Sequence, residues 1–157
     1  MSVIVAGIGT DVGKTVVSAI LCEALQADYW KPIQAGDLNL SDSHKVRDLL
    51  KGNSDFTIWP EAYRLSQPLS PHAAAERDSI AINLAALSAA QPDERALGGR
   101  NLVVELAGGL MVPLSKSLST IDLIKQLSFP VVLVANYYLG SINHTLLSIH
   151  LLSLIHI

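Results

Sequence analysis

Cysteine is almost absent: Cys22 is the only one in 157 residues. One cysteine excludes a disulfide or a cysteine zinc cluster within the chain. Cys22 falls in a helical pattern, where a small buried apolar role is expected. Aromatic residues make up 5% and charged residues 16% of the chain. Lysine and arginine number 11 against 14 acidic residues, for a net charge of −3, and no basic run occurs. No nucleic-acid partner is therefore expected. Long hydrophobic runs are lacking too. Val3–Ala6 is too short for a leader segment, and the stretch after Asn143 is too short and too interrupted by His and Ser to span a bilayer. The expected compartment is the cytoplasm, with no membrane partner. No internal repeat or low-complexity linker is visible.

Half the residues are hydrophobic, which favours a buried sheet over disorder. The length suits one domain. The most informative stretch is Gly7-Ile8-Gly9-Thr10-Asp11-Val12-Gly13-Lys14-Thr15, directly after the apolar run Val3–Ala6. An apolar strand, a glycine-rich loop and Gly-Lys-Thr opening a helix form a phosphate-binding loop. The usual pattern has its first glycine where Ile8 stands, with Gly7 and Gly9 on either side, so the loop is a variant. Backbone N–H groups from Gly9 through Val16 are expected to converge on a nucleotide's phosphates. Lys14 would reach the β/γ-phosphates, and the Thr15 hydroxyl would sit on Mg²⁺.

The spacing predicts a strand over 2–7, a helix from Lys14 to Leu25, and a strand Tyr29-Trp30-Lys31-Pro32-Ile33. Ser41 reads as the N-cap of a helix carrying Val46, Leu49 and Leu50. Residues 52–69 read as irregular. Ser70-Pro71 opens a further helix, and another covers 83–91. Gly98-Gly99 turns into the strand Leu102-Val103-Val104-Glu105. Ser119 caps a helix through Leu127 with Asp122 in capping-box position. A strand at 130–135 and a helix from Ser141 follow. This alternation predicts an α/β fold of the P-loop NTPase type, a mostly parallel sheet with helices on both faces. Ligands on such sheets bind beyond the strands' carboxyl ends, where the phosphate loop, Lys31, Glu105 and residues 137–143 all fall. Lys31 can neutralise charge on a transferring phosphoryl group. Glu105, ending an apolar strand before Ala107-Gly108-Gly109, has the placement of a carboxylate aimed at a nucleotide's Mg²⁺. Asp42, at a helix start, reads equally as a favourable partner of the helix dipole. His44, His144, His150 and His156 form no metal-ligand pattern, and no serine–histidine–acid arrangement is discernible.

The ordered set Gly7–Thr15, Lys31-Pro32-Ile33-Gln34-Ala35-Gly36, Ser41-Asp42, Ser70-Pro71-His72, Glu105-Leu106-Ala107-Gly108-Gly109 with Val112-Pro113-Leu114, and Leu139-Gly140-Ser141-Ile142-Asn143-His144 resembles the dethiobiotin synthetase family over residues 1–151. The resemblance implies conversion of 7,8-diaminononanoate, CO2 and Mg-ATP to dethiobiotin, ADP and phosphate, through a carbamate that attacks the γ-phosphate. It implies that Thr15, Asp42 and Glu105 hold Mg²⁺, and that Lys14 and Lys31, with Thr10, serve catalysis. Gly9, Asp11, Val12, Gly13, Lys14, Thr15 and Val16 would bind ATP. Lys31, Thr10, Ser70 and the backbone near Gly108 would contact the diamine. The family is a homodimer with its site at the interface, so Gly140, Ser141, Ile142 and Asn143 would take the carboxylate of substrate bound to the partner subunit. Ile8-Gly9 replaces the family's frequent Thr-Asp, Leu106 stands where glycine is common, and Ala35 lacks a hydroxyl that some members place against substrate.

The family continues with another strand and an Asn-Asp loop that reads adenine, so the fold is expected to be incomplete at the C-terminus, with an apolar edge exposed. Residues 152–157 match the translation of a transposon-end sequencing adapter and are expected to be a non-native tail. The 157-residue chain is accordingly expected to be poorly active. Two other readings share the loop. A partition-type switch ATPase would carry a signature lysine where Gly9 stands. An inactive fragment is the other.

Overall fold

Val3–Gly7 carries no polar side chain and forms β1, buried along its whole length. Such a run suits a parallel strand covered on both faces. The computed structural model describes residues 2–52 and 55–155. After β1 come α1 (Lys14–Ala24), β2 (Ala27–Trp30), β3 (Ile33–Ala35), α2 (Asp42–Leu49), β4 (Ile58–Trp59), β5 (Tyr63–Leu65) and α3 (Pro71–Arg77). Then follow α4 (Leu84–Ala90), α5 (Glu94–Leu97), β6 (Asn101–Gly109), α6 (Thr120–Leu127), β7 (Val131–Val134) and α7 (Ser141–Leu154). Five strands form one sheet in the order β4-β2-β6-β1-β7, and every pairing in it is parallel. β3 and β5 make a separate parallel pair.

The alternation of side chains along each strand divides the core. Ile4, Ala6, Leu102 and Val104 face Ala74 of α3, Leu87 of α4 and Ile124 of α6. Val3, Val5, Tyr29 and Val103 face Ala19 and Cys22 of α1 and Val46 of α2. Helices thus cover both faces, as expected. Burial, reinforced by nearby Asp28, pushes the Cys22 thiol up to about 12, which keeps it neutral and inert.

Four features differ from the sequence reading. The strand expected at 29–33 is split: β2 ends at Trp30, and Ile33 begins β3 in the other sheet. Pro32 has no N–H to give a ladder, so the chain leaves the sheet at Lys31-Pro32. Within 52–69, expected to be irregular, β4 and β5 form through pairings such as Tyr29 with Ile58 and Ile33 with Tyr63. Strands this short have no readable period of their own. β6 continues past Glu105 to Gly109, with a register shift where Val5–Gly7 of β1 opposes Glu105–Gly109. Short α5 was not foreseen in the pattern; Asp93 caps it by accepting from the Ala96 N–H at 2.7 Å.

At the amino end of the sheet, Asp28 is buried and accepts from the Thr57 N–H at 2.9 Å, Trp59 Nε1 at 3.1 Å and Arg100 Nε at 2.8 Å. This carboxylate joins β2 to β4 and β6. Asp28→Ala leaves the partly exposed Arg100 guanidinium and two N–H donors without their carboxylate. It should lower stability by about 1.5–3 kcal/mol, read as a fall in the urea midpoint; a change within experimental error would contradict the assignment.

At the other end of the chain, among the described residues, β7 pairs with β1 alone and α7 has no buried residue. Tyr137, Leu139, Ile142, Leu146 and Leu147 are exposed. Leu151, Leu152 and Ile155 pack partly against the core. Of the expected tail, residues 156 and 157, His156 included, lie outside the described residues. Among the described residues no helix is long and apolar enough to cross a membrane.

Candidate active site

The phosphate loop turns sharply off β1. A Cβ on Gly7 would meet Val12 Cγ2 at 2.7 Å and the Gly9 carbonyl oxygen at 2.9 Å, so only glycine fits. Gly13 enters α1 with φ 98°, again a glycine conformation. Lys14 folds back over the loop and donates to the Gly9 carbonyl at 2.6 Å. Burial lowers its pKa, the Lys31 ammonium adds to the effect, and Glu105 and Asp42 only partly oppose it. The loop therefore holds an underneutralised cation that an anion would relieve.

Lys31 emerges where Pro32 breaks the ladder, and it is almost wholly buried. Its ammonium donates to Asp42 Oδ2 and, at 3.2 Å, to Glu105 Oε1. Burial alone would lower its pKa, yet the two carboxylates outweigh burial and hold it above the ordinary lysine value. Asp42 shows the converse: burial would raise it, and Lys31 followed by Lys45 pulls it below the ordinary value. Lys45 Nζ reaches Asp42 Oδ1 at 3.0 Å. Glu105, 1% exposed, also accepts from the Thr15 hydroxyl on Oε1 at 3.0 Å and from the Tyr29 hydroxyl on Oε2 at 2.9 Å. Tyr29 is raised well above the usual tyrosine range by burial and by Glu105, so it remains a proton donor.

Behind these groups lies a supporting layer. Gln34 accepts the Asp42 N–H at 3.3 Å and donates to the Gly36 carbonyl at 2.9 Å, tying the Lys31 turn to the start of α2. Ser41 caps α2 in a reciprocal box with His44. Glu61 Oε1 accepts from Ser43 at 2.6 Å and Ser41 at 3.3 Å.

The pKa shifts set a pH dependence. The folded Lys31 pKa lies above its reference of 10.5, so its stabilisation is complete below that value and disappears as pH rises through the folded pKa. The folded Asp42 pKa lies below 3.8, so its stabilisation is present above that value and disappears as pH falls through the folded pKa. The urea midpoint should have an acid limb that becomes shallower in Asp42→Asn. An unchanged limb in the variant would contradict this.

An open cavity of about 840 Å³ lies over the carboxyl ends of the strands. Thr10, Asp11, Gly13, Lys14, Thr15, Val16, Lys31, Asp42, Ser70, Glu105 and Gly108 all line it. Ser70 also bonds His72 Nδ1 at 3.0 Å. Gly108, with φ 62°, could not carry a Cβ without meeting Val112 at 2.7 Å. Two expected loop residues do not line the cavity. Val12 is buried in the core beside α1, and Gly9 contributes its carbonyl to Lys14. Gly140, Ser141, Ile142 and Asn143 form the first turn of α7 and are not part of the cavity wall. Tyr29 and Lys45 were given no role by the sequence, and Gln34 only a place in the motif after Lys31. The only hint of Tyr29 was its position two residues before Lys31, on the same side of the strand.

A glycine-rich loop between a buried parallel strand and a helix, with a lysine just past the end of β2 and a carboxylate on its neighbour β6, defines a P-loop nucleotide-binding protein. A family described as an AAA domain matches residues 1–157. The chain belongs to the ATP-dependent dethiobiotin synthetase family. It is 53% identical over 151 residues to the ATP-dependent dethiobiotin synthetase of Christiangramia forsetii, covering 96% of this chain and 69% of that protein. The synthetase of Cytophaga hutchinsonii is 52% identical over 92% of this chain and 66% of its own length. That of a Bradyrhizobium species is 46% identical over 94% and 67%. The chain thus spans about two thirds of the length of these relatives.

Proposed function

We propose that this chain carries the ATP-dependent closure of a ureido ring on 7,8-diaminononanoate with CO2, giving dethiobiotin, ADP and phosphate. The observation behind it is the buried Lys31 ammonium, held between Asp42 and Glu105 at the mouth of the phosphate loop. One substrate amine adds to CO2 and loses a proton, giving a carbamate. A carbamate oxygen attacks the γ-phosphorus as the bond to the ADP oxygen breaks. The second amine then attacks the carbonyl carbon, and phosphate leaves as the ring closes. Such chemistry rests on positioning and charge stabilisation. Lys31, kept protonated by its carboxylates, faces the charge that builds on the carbamate and the transferring phosphoryl group. Lys14 exchanges the Gly9 carbonyl for phosphate oxygens. Thr10, Ser70 and the Gly108 backbone border the part of the cavity open to the diamine.

Mg²⁺ would neutralise phosphate charge when bound. Thr15, Asp42 and Glu105 would hold it, an all-oxygen set of the kind this ion favours. Among the described residues no three His, Cys, Asp or Glu side chains converge to hold a metal. Phosphate oxygens and water would complete the shell. We further read the enzyme as a cytoplasmic homodimer. Gly140 caps and Ser141–Asn143 begin the 14-residue helix α7, and none of them lines this cavity. The helix N-terminus they form, where the Ser141 N–H donates to the Tyr138 carbonyl at 3.0 Å, would bind the carboxylate of a substrate seated on the partner subunit.

The test is ADP release from Mg-ATP with and without the diamine and bicarbonate. Stimulation that requires both supports the reading, whatever the absolute rate. ATP turnover indifferent to the diamine would sink it.

A further inference from the structure

We infer that Tyr29 is a positioning residue that fixes the orientation of Glu105, with Oε2 turned to the core and Oε1 to the cavity, so that a cation there meets the carboxylate through Oε1 in place of the Lys31 ammonium. The inference rests on the Mg²⁺ reading above. Glu105 is the most deeply buried acid at the site, and its two oxygens have different neighbours. Oε1 faces Thr15 at 3.0 Å and Lys31 at 3.2 Å, both of which line the cavity. Oε2 faces the Tyr29 hydroxyl at 2.9 Å, and Tyr29 is fully buried and absent from the cavity wall. Tyr29 packs in the cluster between the sheet and α1, with Cys22 and Val103. Its ring is enclosed there, and its hydroxyl donates to Oε2.

The consequence is geometric. Mg²⁺ requires near-ideal octahedral geometry at short distance, whereas Ca²⁺ readily accepts a bidentate carboxylate. A glutamate locked through one oxygen suits the smaller ion. A glutamate with both oxygens free can rotate and chelate the larger one. Thr15 complements this arrangement: its hydroxyl hydrogen is committed to Glu105 Oε1, so its lone pairs are what it presents to the cavity. Tyr29 therefore acts on the ion through Glu105, without touching it.

The experiment is calorimetric titration of the 157-residue chain, saturated with ADP, with Mg²⁺ and separately with Ca²⁺. It compares the parent with Tyr29→Phe, which removes only the hydroxyl. A hydrogen bond to a charged group is worth enough for roughly a tenfold change in affinity. The preference for Mg²⁺ over Ca²⁺ should fall by about that factor, chiefly through tighter Ca²⁺ binding. Tyr29→Met, which fills the space without a donor, should behave alike and serves if the phenylalanine variant does not fold. Equal changes for both ions, or none, overturn the inference and leave the Mg²⁺ reading intact. A parent chain that binds neither ion with ADP overturns that reading, and this inference with it.

Discussion

Lys31→Met should lower stability by about 3–5 kcal/mol and phosphoryl transfer by a further factor of about 10²–10³. The reason is the burial of its partners. Asp42 and Glu105 come from different elements, α2 and β6, and each has an oxygen on the Lys31 ammonium. Methionine fills the volume but leaves two carboxylates facing each other with their shared cation gone. Thr15, Tyr29 and Lys45 remain as partners, which is why collapse is not expected to be complete. Urea unfolding at neutral pH gives the stability change, and ADP release gives the loss of transfer. A variant as stable as the parent would show that Lys31 is an ordinary surface-like lysine, contrary to its burial.

Lys14→Met should separate the two effects. Among the described residues this lysine has no carboxylate within hydrogen-bonding distance; it donates to the neutral Gly9 carbonyl. Burial and the nearby Lys31 both disfavour its charge. Removing it relieves that repulsion, so the urea midpoint should stay level or rise. ADP release should nonetheless fall by about 10²–10³, because the cation that meets the β/γ-phosphates is gone. The same urea and ADP measurements on both variants therefore give opposite stability outcomes and a shared loss of chemistry. A Lys14→Met protein that is destabilised as much as Lys31→Met would mean that the loop lysine supports the fold.

The contrast shows where the sequence was readable. The phosphate loop is local: strand, turn and helix start follow one another, and Gly7 and Gly13 each have a conformational reason within a few residues. Lys31 could be placed beyond Tyr29-Trp30 at the edge of its strand, whereas Glu105, expected to end its strand, lies within β6, which runs on to Gly109. Ser119 with Asp122 was legible as a capping box for the same local reason, and the Ser119 N–H does donate to Asp122 Oδ2 at 2.8 Å. What could not be read depends on register. Tyr29 meets Glu105 only because β2 and β6 align Tyr29 with Val103. Gln34 reaches Asp42 only after Pro32 has turned the chain out of the sheet. β4 and β5 owe their existence to partners across the sheet, and the bulge in β6 follows from its fit against β1. The Val12 side chain points into the core, although its neighbours Asp11 and Gly13 line the cavity. A loop read as a string of ligands cannot show that division.

The most direct measurement of the central claim follows an oxygen atom. The chain is given ATP, the diamine and ¹⁸O-labelled bicarbonate, and the released phosphate is examined by mass spectrometry. If a carbamate oxygen attacks the γ-phosphorus beside Lys31, that oxygen leaves with the phosphate when the ring closes. Each phosphate should then carry one label. Unlabelled phosphate would mean that water is the acceptor. The site would then be a nucleotide hydrolase whose turnover is not coupled to the diamine.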